Sequence, residues 1–181
     1  DHSDKGFDGN TCGIIVALER QSLDINRGVD KNPQDAAEQG AGDQGMMFGY
    51  ACDETDVLMP MSLHYSHLLL QKYAELRKSG DLSWAYPDAK SQVTIQYIDG
   101  KPARISAVVL SAHHAKLNAS REDTVAEKIE MDAIRKEVET KIIRTVLPAE
   151  LLDSNTNIHI NPTGRFETGG PVGDAGLTSL T

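Results

Sequence analysis

Two short stretches of the chain carry charged side chains in patterns that could bind or activate a ligand. Asp88-Ala89-Lys90 places an acid and a base two residues apart, directly before an alternating segment that predicts a strand. A rigid strand end can hold such side chains in place, although the same pattern is common in a solvated turn. Arg165-Phe166 joins a guanidinium to an aromatic ring. Such a pair can meet a phosphate and stack on a purine, or it can be a capped turn with the ring in the core.

A glycine-rich segment is the third candidate. Its glycines allow positive φ and bring backbone N–H groups close to a bound molecule, while Asp43 and Gln44 add a charge and an amide. No Lys-Ser/Thr pair follows, and the strand–Gly–helix spacing of a dinucleotide fingerprint is missing. A ligand-binding loop and an ordinary turn therefore both remain open. The glycines of this segment are Gly40, Gly42 and Gly45.

The first fifty residues predict two strands separated by a loop. Residues 11–18 form a continuous apolar run with β-branched side chains, which indicates a buried strand. Residues 21–38 show neither a helical nor a strand period, so they predict a long mobile loop. Residues 47–51 favour a second strand after the glycine-rich segment.

A helix and a hairpin are predicted next. Pro60 and Gly80 have the positions expected at the start and end of a helix of about twenty residues. Residues 91–98 alternate and residues 103–111 are apolar, with a tight-turn dipeptide at 99–100, which together predict a hairpin. The buried stripe of the helix is expected at Leu63, His67, Leu70 and Ala74.

A long helix and a short strand complete the predicted order. From Ser120, a candidate N-cap, a charged helix is predicted to end before Pro148. Residues 156–160 predict a strand, and residues 161–178 a Gly/Pro-rich tail. This order predicts an α+β fold with mixed or antiparallel sheets and helices packed on one face. The apolar face of the long helix is expected at Val125, Ile129, Ala133, Val138, Ile142 and Val146.

The composition restricts the partners. With 18 Lys and Arg against 27 Asp and Glu the formal charge is −9, which disfavours nucleic acid as a partner. Two cysteines without metal spacing, and no apolar run of about 18–20 residues, indicate a reduced cytoplasmic protein without a membrane span.

His64 and His67 lack a third clustered ligand, so a zinc site is not indicated. His113 and His114 are expected to point in opposite directions at a strand end, into solvent.

The glycine-rich segment, taken from Glu38 to Ala51, resembles the signature of the S-adenosylmethionine synthetases (methionine adenosyltransferases). Further motifs similar to that family follow in order, and the resemblance extends from Ser3 to Thr178, weakest around residues 113–145. They lie at residues 21–25, 75–80, 87–94, 161–166 and 169–178. The resemblance identifies the chain as an internal portion of such a subunit.

This resemblance implies transfer of an adenosyl group from ATP to L-methionine, with release of phosphate and diphosphate. It implies Mg²⁺ and K⁺ as cofactors, with ligands mostly outside this chain, and a homodimer or dimer of dimers with active sites at the interface. The family subunit has three pseudo-symmetric α+β domains interwoven in sequence. Residues 1–51 are then expected to belong to neighbouring domains, residues 52–169 to form an α+β domain, and residues 170–181 to begin a further segment of the central domain.

The resemblance also assigns roles to matching positions. Asp43 and Lys90 are expected to be catalytic, with Lys90 contacting the polyphosphate as a compact cation. Phe166 is expected to stack on adenine, and Gln21 with Asp174 to contact methionine. The implied ATP-binding residues are Asp88, Ala89, Lys90, Arg165, Phe166 and Asp174. The implied lid loop contains Gln21, Asp24, Asn26, Gly28 and Asp30, and the glycine-rich loop contains Gly40, Gly42, Asp43, Gln44 and Gly45.

Two hypotheses about the chain's own activity follow. The family carries an N-terminal His-Pro-Asp-Lys stretch, basic residues after the Gly-Leu-Thr that matches 176–178, and a Lys-containing glycine-rich loop further on, none of which this sequence contains. The chain alone is therefore expected not to form S-adenosylmethionine at a meaningful rate. The alternative is a non-catalytic fragment or an assembly and binding module that retains the fold and part of a nucleotide site.

Overall fold

The computed structural model describes residues 7–32 and 34–174, which divide into two units. One unit consists of residues 7–12 and 51–174, and the other of Gly13–Tyr50. The end of the predicted Gly/Pro-rich tail, residues 175–178, lies outside the described residues.

The smaller unit contains helical turns where the sequence predicts an irregular loop. Helix α1 comprises Leu23–Val29, and a short 3₁₀ turn comprises Ala36–Glu38. Asp24 lies in the first turn of α1 and Arg27 in its last, an arrangement that complements the helix dipole. The prediction that residues 21–38 lack regular structure was therefore wrong.

Neither apolar run of the smaller unit forms a strand. Residues 12–20 and 45–50 have no strand geometry, and the side chains of Ile15 and Met47 are 96% and 95% exposed. The predictions of strands at 11–18 and 47–51 were therefore wrong. A strand needs a hydrogen-bonded neighbour, and neither run pairs with another described segment.

Helix α2, Met61–Ser79, confirms the first long predicted helix. Its N-terminus is fixed by the Glu54 carboxylate, which accepts a 2.8 Å hydrogen bond from the Met61 N–H. It ends at Gly80, whose φ of 88° suits glycine at a C-cap. The buried stripe differs from the prediction, because Leu63 and His67 are exposed. The side chains turned toward the core are Tyr65, Leu69, Tyr73 and Leu76.

The predicted hairpin and final strand are confirmed as a mixed three-stranded sheet. Strands β1, Ala85–Ile98, and β2, Lys101–His114, pair antiparallel, and strand β3, Asn157–Ile160, pairs parallel to β2. Asp99 and Gly100 have φ of 50° and 75°, as a tight hairpin turn requires. Asp88-Ala89-Lys90 lies inside β1 rather than before it, where the pairing register shifts between Ala85 and Ala89.

The second long helix is interrupted and begins later than predicted. Helix α3 comprises Thr124–Val138, a π-helical turn covers Glu139–Ile143, and helix α4 comprises Arg144–Val146. The N-cap is Asp123 and not Ser120, because the Asp123 carboxylate accepts a 2.9 Å hydrogen bond from the N–H of Ala126.

The apolar face predicted for this helix was wrong over its first half. Val125 and Ile129 are 70% and 67% exposed. The inward positions of the first turns are acidic instead, because Glu127 pairs with Arg165 and Glu130 accepts from the N–H of Ala119. The buried residues of the helical segment are Met131, Ile134, Val138, Ile142 and Ile143.

The helices cover one face of the sheet. Ser91 on β1 donates a 2.7 Å hydrogen bond to the Ser66 carbonyl of α2, and Val93 on the same face is buried. Gln92, Thr94 and Gln96 alternate with them and are exposed on the opposite face. This arrangement confirms the predicted α+β class. None of the helices in the described part of the chain is long and apolar enough to cross a membrane.

An ion pair attaches the segment before β3 to β2. The Arg104 guanidinium contacts both carboxylate oxygens of Asp153 at 2.6 Å. The Arg104 hydrogen bonds lower the pKa of Asp153 to about 2. A depressed pKa stabilises the fold above the usual Asp range, and this contribution is lost as the pH falls toward the folded pKa.

We therefore expect the Asp153→Asn variant to lose less stability than the wild type as the pH falls. The urea midpoint of the wild type should fall more steeply than that of the variant between about pH 4 and about pH 2, because only the wild type loses an ionised partner of Arg104. Urea titrations at several pH values measure both midpoints. Parallel pH profiles for the two proteins would contradict the assignment.

Candidate functional site

A pocket of about 190 Å³ lies on the uncovered face of the sheet. Lys90 on β1 and Ser111 on β2 are direct cross-strand partners, so their side chains share this face. The chain that follows β3 supplies the remaining wall. The lining residues are Lys90, Ser111, Asn161, Thr163, Arg165 and Phe166. The fold thus brings together three of the residues singled out in the sequence, Lys90, Arg165 and Phe166.

Asn161 turns the chain from β3 into the pocket wall. Its φ is 44°, and it is 2% exposed. Its side-chain amide accepts from the Ala112 N–H at 2.7 Å and donates to the Ala112 carbonyl at 3.0 Å. The amide therefore continues the hydrogen-bond ladder of β2 one step beyond the end of β3. The residues that follow this turn, Thr163 and Phe166, line the same pocket as Lys90.

The guanidinium of Arg165 is surrounded by oxygen atoms inside the protein, although its Nε forms an ion pair without the geometry of a hydrogen bond. Nε lies 2.7 Å from the Glu127 carboxylate and one terminal nitrogen 3.2 Å from that of Glu167. The other terminal nitrogen donates to the carbonyls of Ala119 and Ser120 at 2.9 and 2.8 Å. Close contact with the Glu127 carboxylate and its charge raise the pKa of Arg165. These contacts fasten the start of α3 to the pocket wall.

Glu167 is the second carboxylate of this cluster. Burial raises its pKa, but the hydrogen bond from the Leu117 N–H and the charge of Arg165 outweigh burial, so the net pKa of Glu167 is lowered. Lys90 differs from Arg165. It is exposed, and no carboxylate in the described part of the chain forms an ion pair with it. Lys90 is therefore the pocket cation that is available to an anionic ligand.

Two histidines hold Phe166 in place. His114 is fully buried, and its Nε2 accepts the Phe166 N–H at 2.8 Å while Nδ1 donates to the Ala115 carbonyl at 2.8 Å. His113 is 3% exposed, and its ring stacks on the Phe166 ring with centroids 5.2 Å apart and planes 28° apart. The prediction that both histidines are solvated was therefore wrong, because residues 165–167 cross the end of β2 and cover them.

Asp88 lines a neighbouring cavity of about 270 Å³. Its carboxylate accepts a 2.9 Å hydrogen bond from the Gly170 N–H, which links β1 to the segment after Phe166. Ala89 packs against the core and can offer a ligand only its backbone. Asp174 is exposed beyond the 3₁₀ turn Gly170–Val172, and among the described residues it lines neither cavity.

The remaining predicted site residues lie in the smaller unit. Gly42 is close to the side chain of Gln21, since a Cβ on Gly42 would lie 3.6 Å from Gln21 Nε2. A Cβ on Gly40 would overlap the carbonyl of Gly28, so that crossing of the chain requires glycine. Asp30 lines a cavity of about 330 Å³. Other predicted residues of this unit, all exposed, are Asp24, Asp43, Gln44 and Gly45. Asn26 of the predicted lid is half-buried.

No metal site is assembled by residues 7–32 and 34–174. They contain no group of three or more His, Cys, Asp or Glu side chains that could hold a metal ion. The donor set present therefore does not fit a complete Mg²⁺ site, which needs several oxygen ligands in octahedral geometry.

The fold and the pocket define an α+β domain that offers a small anionic ligand one lysine, two hydroxyls and an aromatic ring. A family model of the S-adenosylmethionine synthetase central domain matches residues 38–166, more than half of the chain. The chain therefore belongs to the S-adenosylmethionine synthetase family. The resemblance noted in the sequence is confirmed, including its placement as an internal portion of the subunit.

Sequence reasoning missed four residues that build the pocket. They are Ser111, Thr163, His113 as the wall behind Phe166, and Asn161 as the residue that turns the chain. The Asn-Pro-Thr-Gly order at 161–164 was a usable signal, because Asn and Gly tolerate positive φ, and both do so here. Nothing in the local sequence marks Ser111 as the partner of Lys90.

Proposed function

We propose that the chain contributes the nucleotide-binding part of an enzyme that makes S-adenosylmethionine from ATP and L-methionine, with release of phosphate and diphosphate. The observation that carries this proposal is that Lys90 and Phe166, distant in sequence, line one pocket. A cation that can meet polyphosphate and a ring that can stack on adenine line the same pocket, and these are the groups that the two ends of ATP would need.

The proposed chemistry depends on positioning rather than on proton transfer. The methionine sulfur attacks the C5′ carbon of ATP, a C–S bond forms as the C5′–O bond breaks, and tripolyphosphate leaves with the electron pair. Charge develops on the leaving group, so a preorganised ammonium at Lys90 lowers the barrier. Phe166 fixes the base by stacking, and the Ser111 and Thr163 hydroxyls are placed to donate to ligand oxygens.

Arg165 enters the proposal in a different way from the sequence expectation. Because its guanidinium already meets Glu127, Glu167 and two carbonyls, its proposed part in ATP binding is to hold Phe166 and to offer its own backbone. Asp88 and Ala89 are proposed to border the ribose side of the nucleotide. The proposed contacts of Asp174 and Gln21 with methionine, the catalytic role of Asp43 and the mobility of the lid rest on the family alone.

Several further points are proposals from the family. Residues 1–51 belong to neighbouring domains of a three-domain subunit, residues 170–181 begin a further segment of the central domain, and the subunit forms a homodimer or dimer of dimers in the cytoplasm. Mg²⁺ and K⁺ are the proposed cofactors, and no step is assigned to them, since the described residues do not form a complete site for Mg²⁺.

We expect Phe166→Ala to weaken ATP binding by about 1–3 kcal/mol, the range for the loss of one base–aromatic stack. Calorimetry with ATP and a product assay on the same full-length subunit measure the effect. Leu63→Ala is the control, because Leu63 is an exposed apolar residue on α2, which covers the other face of the sheet. Unchanged ATP affinity in the Phe166 variant would contradict the proposal. ATP binding without product formation would favour a non-catalytic binding module instead.

A further inference from the structure

The Phe166 ring is held from behind by a second aromatic side chain. His113 covers one of its faces, with centroids 5.2 Å apart and planes 28° apart. Because Phe166 also lines the pocket that contains Lys90, the face turned toward that pocket is the one left for a base. The order of the stack would be His113, Phe166, base.

His113 is itself fixed on three sides. Its Nε2 donates to the Glu167 carbonyl at 3.1 Å, and its Nδ1 is buried without a hydrogen-bond partner in the described part of the chain. The ring of Tyr86 meets it edge-on, with centroids 5.0 Å apart and planes 88° apart. Gly169 closes the third side, since a Cβ there would lie 2.9 Å from His113 Cγ and 2.8 Å from Phe166 Cε2. The two rings therefore have little room to separate or tilt.

We propose that His113 is a positioning residue that fixes the orientation of the Phe166 ring and thereby sets the affinity for the adenine base. This inference rests on the proposed function, because it assumes that Phe166 stacks on the base. A ring supported on its rear face loses less conformational freedom when a ligand stacks on the front. The relevant property of His113 is therefore its flat ring rather than its hydrogen bond.

Two substitutions separate the ring from the hydrogen bond. His113→Gln keeps a donor for the Glu167 carbonyl and removes the ring, whereas His113→Phe keeps a ring and removes the donor. We expect His113→Gln to raise the Kd for ATP about threefold to tenfold, the range for one aromatic pair, and His113→Phe to stay within about twofold of wild type. A residue needed only for its hydrogen bond would give the reverse order.

The decisive measurement is a double-mutant cycle on the Kd for ATP in the full-length subunit, with thermal unfolding to confirm that each variant is folded. His113→Gln should have no further effect once Phe166 is Ala, because it acts through that ring. Additive effects of the two changes, or an unchanged Kd in His113→Gln beside a weakened Phe166→Ala, would overturn the role of His113 and leave the proposed function standing. An unchanged Kd in Phe166→Ala would overturn both.

Discussion

Under the proposed function, replacing Lys90 with Ala in the full-length subunit is expected to lower kcat for S-adenosylmethionine formation about 10²–10³-fold, the usual cost of removing one preorganised group that stabilises developing negative charge. The protein has a formal charge of −9, so a polyanionic leaving group is not attracted by the molecule as a whole. Within the pocket Arg165 is already neutralised by Glu127 and Glu167. The loss of Lys90 would therefore leave the described pocket without an available cation.

The comparison of kcat with KM identifies what Lys90 does. A fall in kcat and kcat/KM together means that the ammonium acts mainly in the transition state, whereas a rise in KM for ATP alone means that it only binds the ground state. Lys101→Ala is the matched control, because Lys101 is an exposed lysine at the turn end of the same hairpin. A kcat for Lys90→Ala close to that of Lys101→Ala would remove Lys90 from the catalytic assignment.

The parts of the fold that were predictable have local signals. Gly80 ends α2 and Asp99-Gly100 closes the hairpin because their backbone angles need residues that tolerate positive φ. These residue types can be recognised in the sequence without knowing which distant segments pack against them. The alternation at 91–98 likewise predicted two faces of β1, and Val93 is buried while Gln92 is exposed, but Tyr97 at the end of the strand is exposed as well.

The parts that failed depend on neighbours that local sequence does not name. The run at 11–18 has the composition of a buried strand, but no described segment pairs with it. The outward position of Ile129 follows from Glu127, which turns inward to meet an arginine far along the chain. An apolar period predicts a core-facing stripe only where the opposite surface is itself apolar.

In the candidate site, too, some features were predictable from local sequence and others depend on distant segments. Lys90, Arg165 and Phe166 were singled out by residue type and by family resemblance, and they do line one pocket. Residue type alone gave the wrong expectation for His113 and His114, since alternation at a strand end says nothing about a segment that crosses over it. The sequence also gave no indication that the Arg165 guanidinium is occupied by contacts within the protein. Its carbonyl partners at 119 and 120 belong to a loop without a motif.

Asn161 offers a test of how the fold holds this pocket open. Its amide makes two hydrogen bonds to Ala112, a residue with no solvent exposure. Replacing Asn161 with Ala would leave the buried N–H and carbonyl of Ala112 without partners, each at a cost of about 1–3 kcal/mol. Ala would also have to adopt a φ of 44°, which costs a further 1–2 kcal/mol or so.

We therefore expect Asn161→Ala to lower the free energy of unfolding by at least about 3 kcal/mol, measured by urea titration at constant m-value. Asn161→Gly also lacks the amide, but glycine adopts a positive φ without strain, so this variant should be about 1 kcal/mol more stable than Asn161→Ala. Asn161→Asp can still accept from the Ala112 N–H but, when ionised, cannot donate to its carbonyl, so it should lie between wild type and Ala. Because residues 163–166 follow this turn, ATP affinity should fall in the same order. A stable Ala variant with full ATP affinity would mean that Asn161 does not shape the pocket.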